Sequence, residues 1–175
     1  MRVGDKRGQI WVETVIYTLI GLAIIGLVLA GALPKINAKK DEVVIGRSIE
    51  ALGHIDEKVY EVSKAAGNRR VVNLDIKRGY LIIDPEEDTI SWTLDSSFPY
   101  SEIDRTVPFG NMNITTTDDA GYEVELKIGY NVDLRYDNQI SGEKQFDVAP
   151  TPYRIVIENV GKNEAGDIVV DFLEV

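Results

Sequence analysis

The side chains able to do chemistry in this chain are few, and the most conspicuous is an acid placed in an apolar setting. Glu13 is the sole charged residue between Gly8 and Pro34, and it stands just before an uncharged run over residues 15–33. A carboxylate at mid-bilayer costs several kcal/mol, and less near the interface. Glu13 therefore needs either a cationic partner or a place at headgroup level beside Trp11. Elsewhere the candidates are weaker. Glu86-Glu87-Asp88, Asp118-Asp119 and the loop at 163–167 could gather a cation, yet none has the spacing of a twelve-residue calcium loop. Glu123 and Glu125 alternate along the exposed face of an expected strand, which is no setting for paired acid-base work. His54 has no second His and no Cys to pair with, and reads as a helix-surface residue. Asn113-Ile114-Thr115 is an N-glycosylation acceptor pattern. There is no Gly-x-Ser-x-Gly, no phosphate loop and no Ser/His/Asp set. The expectation is a chain without catalytic residues, metal or cofactor.

The segment after Glu13 must position it. The run over residues 15–33, marked along its course by Val15, Leu19, Ile24, Leu29 and Leu33, carries polar groups at Tyr17 and Thr18 alone. As a helix it spans roughly 28 Å at ~1.5 Å per residue, close to a ~30 Å hydrocarbon core. The residues before it hold Arg2, Lys6 and Arg7 against Asp5. A basic flank keeps its side cytoplasmic, so a single span with the bulk outside is expected. An ordinary secretory signal cut near Ala30-Gly31-Ala32 is the alternative, but the run is long for one and Glu13 is foreign to it. Gly21, Gly26 and Gly31 recur every five residues, so they do not form a Gly-x-x-x-Gly face.

Pro34 closes the run, and a kink is expected there. Helical spacing then resumes through Ile45, Ile49, Leu52, Ile55, Val59, Val62 and Ala66, with an end at Gly67-Asn68. From residue 69 the period becomes two. Val72-Leu74-Ile76, Ile90-Trp92-Leu94 and Ile168-Val170-Phe172 alternate with polar residues, and Trp92 reads as core. The longest alternation runs from Tyr122 to Tyr136 and predicts one strand with eight inward positions. About eight strands and no second long helix give an α+β chain: a long N-terminal helix, then an antiparallel β-sandwich head, for which an immunoglobulin-like arrangement is one candidate. The expected division is a basic leader at 1–8, a helical stalk at 9–68 and the head at 69–175.

The charge is as uneven as the hydropathy. The net charge is −10, of which residues 69–175 supply −11. A mean hydropathy of −0.10 thus averages an apolar helix with an acidic head. Such a balance excludes a nucleic-acid binder, which needs a basic face. With no Cys, disulfide frameworks and thiol nucleophiles are excluded as well.

Lys6-Arg7-Gly8-Gln9, followed by Glu13 and the apolar run, resembles the class III signal peptide of archaeal type IV pilin-like proteins. The resemblance covers about 30 residues. It implies that a prepilin-type membrane peptidase cuts between Gly8 and Gln9, that Glu13 becomes the fifth residue of the mature chain, and that the helix is kept. The family's Gln-x-Ser-x-Glu-x-x-x-Leu form is met at Gln9 and Glu13, whereas Trp11 and Tyr17 replace Ser and Leu. On this resemblance the chain is expected to be a filament subunit. It would insert in the cytoplasmic membrane with its C-terminal domain outside, then assemble at the cell surface through its helix. Glu13 would face the Gln9 ammonium of a neighbouring copy. The partners implied are the membrane, the peptidase, copies of the chain and an assembly machinery. The alternative is a single-pass protein that does not polymerise and holds a binding or stator-type β head outside.

Overall fold

The computed structural model describes residues 6–118 and 121–175, with the backbone alone for residues 6–10. One helix, α1, runs from Lys6 to Ser63 and includes Pro34. Ten strands follow among the described residues, and no further helix. The chain divides into two compact units, Met1–Lys39 and Lys40–Val175. The first contains the apolar part of α1. The second joins the rest of α1 to the strands.

Residues 40–63 belong with the strands because one stripe of α1 is core. Ile45, Leu52, Ile55, Val59 and Val62 are buried at helical spacing. Ala66, expected on the same stripe, is exposed in the turn beyond Ser63. Gly67 takes φ 81°, the left-handed conformation that commonly ends a helix. Asn159 secures this end from across the fold. It is buried, its Nδ2 donates to the Val62 carbonyl at 3.0 Å, and its own carbonyl accepts from Gly67 N at 2.8 Å.

The strands form two sheets. The first has β1 (Arg69–Leu74), β9 (Tyr153–Lys162), β10 (Ile168–Glu174) and β7 (Asp133–Tyr136) in the order β1-β9-β10-β7. The second has β4 (Thr106–Phe109), β5 (Met112–Asp118), β6 (Tyr122–Gly129), β3 (Thr89–Ser96), β2 (Tyr80–Asp84) and β8 (Lys144–Phe146) in the order β4-β5-β6-β3-β2-β8. Both sheets and the α1 stripe share one core, in which Ile55 meets Val72, Ile155 and Phe172 of the first sheet and Leu81 and Ile90 of the second. An immunoglobulin sandwich places strands 1-2-5-4 against 3-6-7. The order here is different, and a helix contributes to the core.

Three expectations about strands need correction. The alternation from Tyr122 to Tyr136 is two strands in two sheets, β6 and β7. Asp88, in the loop before β3, redirects the chain: its carbonyl accepts from Tyr130 N at 2.9 Å and its Oδ1 from Leu134 N at 2.8 Å. Inward alternation survives the switch, with Val124, Leu126, Ile128 and Leu134 buried and Tyr122, Tyr130, Val132 and Tyr136 half-buried. The head is also not wholly antiparallel, since β7 pairs with β10 in parallel. Finally, the described residues form ten strands where about eight were expected, and one of them is β4. Pro108 is tolerated there because β4 is an edge strand. Of the acidic pair Asp118-Asp119, Asp119 lies outside the described residues.

Lys77–Gly79 turns the chain into β2, and the turn admits only glycine at its end. Gly79 has φ 73°, and a Cβ there would come 1.9 Å from the Thr93 carbonyl oxygen. Gly79→Ala is expected to cost about 3 kcal/mol through the left-handed backbone and the clash with a neighbouring strand. A lowered unfolding midpoint of the head, measured in detergent, checks this.

Candidate functional site

The apolar part of α1 is a surface with nothing on it. Leu19 is 60% exposed, Leu27 75% and Leu33 52%, and Val15, Ile24 and Leu29 are exposed as well. Fully burying one such side chain is worth ~1.5–3 kcal/mol relative to water. An exposed apolar stretch of this length is therefore costly to leave in water. The helix is long and apolar enough to cross a membrane by length and composition. Its polar groups fit that role. Thr18 Oγ1 donates to the Thr14 carbonyl at 2.8 Å, which satisfies the hydroxyl inside the helix.

Glu13 is exposed on this helix, one turn after Gln9. The backbone of residues 6–9 is helical as part of α1, while the side chains of Lys6, Arg7 and Gln9 lie outside the described residues, as do residues 1–5 of the leader. Gly8 and Gln9 thus share one helical segment with Glu13. Asn113 is exposed on β5, between Pro108 of β4 and Lys127 of β6. His54 is exposed on α1, and Trp92 is core, with Nε1 donating to the Arg78 carbonyl at 3.1 Å.

The acidic loops are occupied with structure. Asp84 Oδ1 accepts from the backbone of Glu86 and Glu87 at 2.9 and 3.2 Å, which closes the Pro85–Asp88 turn. Asn163 and Asp167 bond to each other through backbone and side chain. Between these loops lies an open groove of about 1230 Å³, with Asp88, Asp133, Arg135, Lys162 and Asp167 on its walls. The Arg135 guanidinium and Asn163 hold the Asp133 carboxyl below its usual range. Burial, with Asp133 and Asp167 nearby, pushes Asp88 up. Among the described residues, no three of His, Asp and Glu are grouped to hold a metal.

A buried ionic group on α1 is one that sequence periodicity did not single out. Asp41 is 5% exposed; its Oδ2 accepts from Ser97 N at 2.8 Å and its Oδ1 pairs with Arg78 Nη1. A signal for it exists: Asp41, Ile45, Ser48 and Leu52 share one helical stripe, so Asp41 faces the core. Burial raises its carboxyl pKa, but the Ser97 and Arg78 hydrogen bonds outweigh burial and leave it below the ordinary value. The stability it contributes is present above the unfolded carboxylate pKa, near ~3.9, and is lost as pH falls through the lower folded value. Asp41→Ala leaves the Ser97 amide without its acceptor and Arg78 without its carboxylate. Because the Arg78 side chain is 40% exposed and can rehydrate, the expected loss is about 2–3 kcal/mol, below that of a fully buried pair. Chemical unfolding at neutral pH measures it. Asp88 and Asp171, both raised by burial, act in the opposite direction and favour the fold in acid.

No protein-family model, curated protein sequence or solved structure matches the chain.

Proposed function

We propose that this chain is a structural subunit of an archaeal type IV pilus-like surface filament. It is inserted as a precursor with its start in the cytoplasm and its head outside. It is then cut between Gly8 and Gln9 by a prepilin-type peptidase and assembled through α1. The observation that carries this reading is the uncovered apolar helix, introduced by Lys6-Arg7-Gly8-Gln9 and bearing Glu13 as its one charge before Pro34. A helix that only anchored a head would need no acid there. In a bundle of copies, Glu13 has a partner, because cleavage creates an ammonium at Gln9 on every neighbour. Asn113 stands on the outward face of β5 and is open to glycosylation outside the cell.

Surface filaments sheared from cells test the proposal. This chain should be their repeating subunit. Recovery from the membrane alone would favour the non-polymerising reading, in which the head acts as a binding or stator-type module.

A further inference from the structure

Three cations converge on one small pocket of a strongly acidic head. The pocket, about 120 Å³, lies between α1 and the Lys77–Gly79 turn, and its lining includes Arg47, Ser48, Asp75, Lys77, Arg78 and Trp92. Asp75 is the one carboxylate in that lining.

The donors there exceed the acceptors. Arg47 makes no hydrogen bond or ion pair among the described residues, so its whole guanidinium fork is available. Arg78 spends Nη1 on Asp41 and the Asp95 carbonyl, which leaves Nε and Nη2 without partners among the described residues. Lys77 Nζ meets Asp75 Oδ1 at 2.8 Å, and an ammonium has three protons to give. Were these cations present only to balance Asp41 and Asp75, Arg47 would be surplus.

One of the donors, Arg78, is also held in place before any ligand arrives. Asp41 fixes the Arg78 side chain, Trp92 Nε1 fixes its carbonyl, and Gly79 fixes the turn that carries Lys77 and Arg78. Groups set in advance lose little freedom on binding. A cavity of about 120 Å³ has room for a compact anion. An Arg fork matches tetrahedral oxyanions through paired N–H donors.

We propose that this pocket binds a phosphate-class oxyanion, gripped by Arg47 and Lys77 and oriented by the anchored Arg78. The proposal goes beyond filament assembly and does not depend on it. The chemistry is shared by free phosphate and by the phosphate of a lipid headgroup.

The test uses the full chain in uncharged maltoside micelles, carrying Trp11→Phe so that Trp92 is the one emitting indole. Inorganic phosphate and a short-chain phosphatidic acid are titrated separately, with sodium chloride at matched ionic strength as control. Trp92 emission and ³¹P line broadening are the readouts. Saturable binding of either probe is expected, weakened roughly ten-fold or more by Arg47→Ala and by Lys77→Ala. Saturation by phosphate identifies a free-anion site, and saturation by the lipid alone identifies a headgroup site. The proposal is overturned if neither probe exceeds the chloride control in either readout, or if both variants bind as tightly as the native chain. Arg47 is exposed and tied to nothing, so its removal leaves the fold in place for the comparison.

Discussion

Gly8→Asp should leave a full-length chain in the membrane and no mature form at all. The substitution adds a side chain and a negative charge at the residue before the proposed scissile bond. It leaves the uncharged run over residues 15–33 untouched, so the free energy of insertion does not change. In the proposed topology Lys6 and Arg7 would still hold the start on the cytoplasmic side. Insertion and processing are thereby separated: the first persists while the second falls from complete to undetectable. An immunoblot of membrane fractions reads both, since the native chain should lose eight residues and the variant none. Filaments should vanish with the processing, because an uncut chain has no ammonium at Gln9. A Gly8→Asp chain that still appeared as a species beginning at Gln9 would place the cut elsewhere.

Glu13→Ala should do the reverse, giving a chain that is cut normally and does not assemble. The apolar surface of α1 cannot by itself select a filament over the membrane, because lipid tails are about as apolar as leucine side chains. Burial of that surface prevents the helix from entering water and says little about which apolar partner it takes. What differs between the two environments is the fate of the charges. In lipid, a lone carboxylate costs ~3 kcal/mol at depth. In a bundle of processed copies, that carboxylate and the Gln9 ammonium neutralise each other. Losing a paired interaction of about 3 kcal/mol per subunit lowers the assembly constant roughly hundred-fold. Repeated along a filament, such a loss abolishes polymerisation. Glu13→Gln should fail as well, since an amide of the same shape carries no charge, whereas Trp11→Phe should assemble. Counting filaments by electron microscopy, with the processed chain assayed in parallel, measures the effect. Filaments of normal length from Glu13→Ala would remove the electrostatic step from the account.

Much of this architecture is legible in the residues because it arises from local periodicity. The apolar run, the amphipathic stripe from Ile45 to Val62 and the strand centred on Trp92 each announce themselves within about twenty residues. Pairing does not. Alternation reports which side of a strand is buried, and both sheets bury their sides in the same core. Tyr122 to Tyr136 therefore reads as continuous while Asp88, over forty residues from Leu134, divides it. The parallel pairing of β7 with β10 is likewise a property of distant segments. Asp41 is hidden for a different reason. Its stripe position is readable, but a charge on a stripe is reasonable only once Arg78 and Ser97 arrive to meet it. The proposed N-terminal site stands the other way round, since its chemistry lies in the spacing of Lys6, Arg7, Gly8, Gln9 and Glu13 and the partners proposed for it are on other chains.

The central claim is that the helix is retained and the leader removed before assembly, and the mass of the chain in its final location tests this most directly. Intact-mass measurement of the chain recovered from sheared surface filaments should give the polypeptide from Gln9 to Val175, plus any glycan on Asn113. A mass corresponding to all 175 residues, or to a chain beginning after Ala32 and found in the medium, would contradict it.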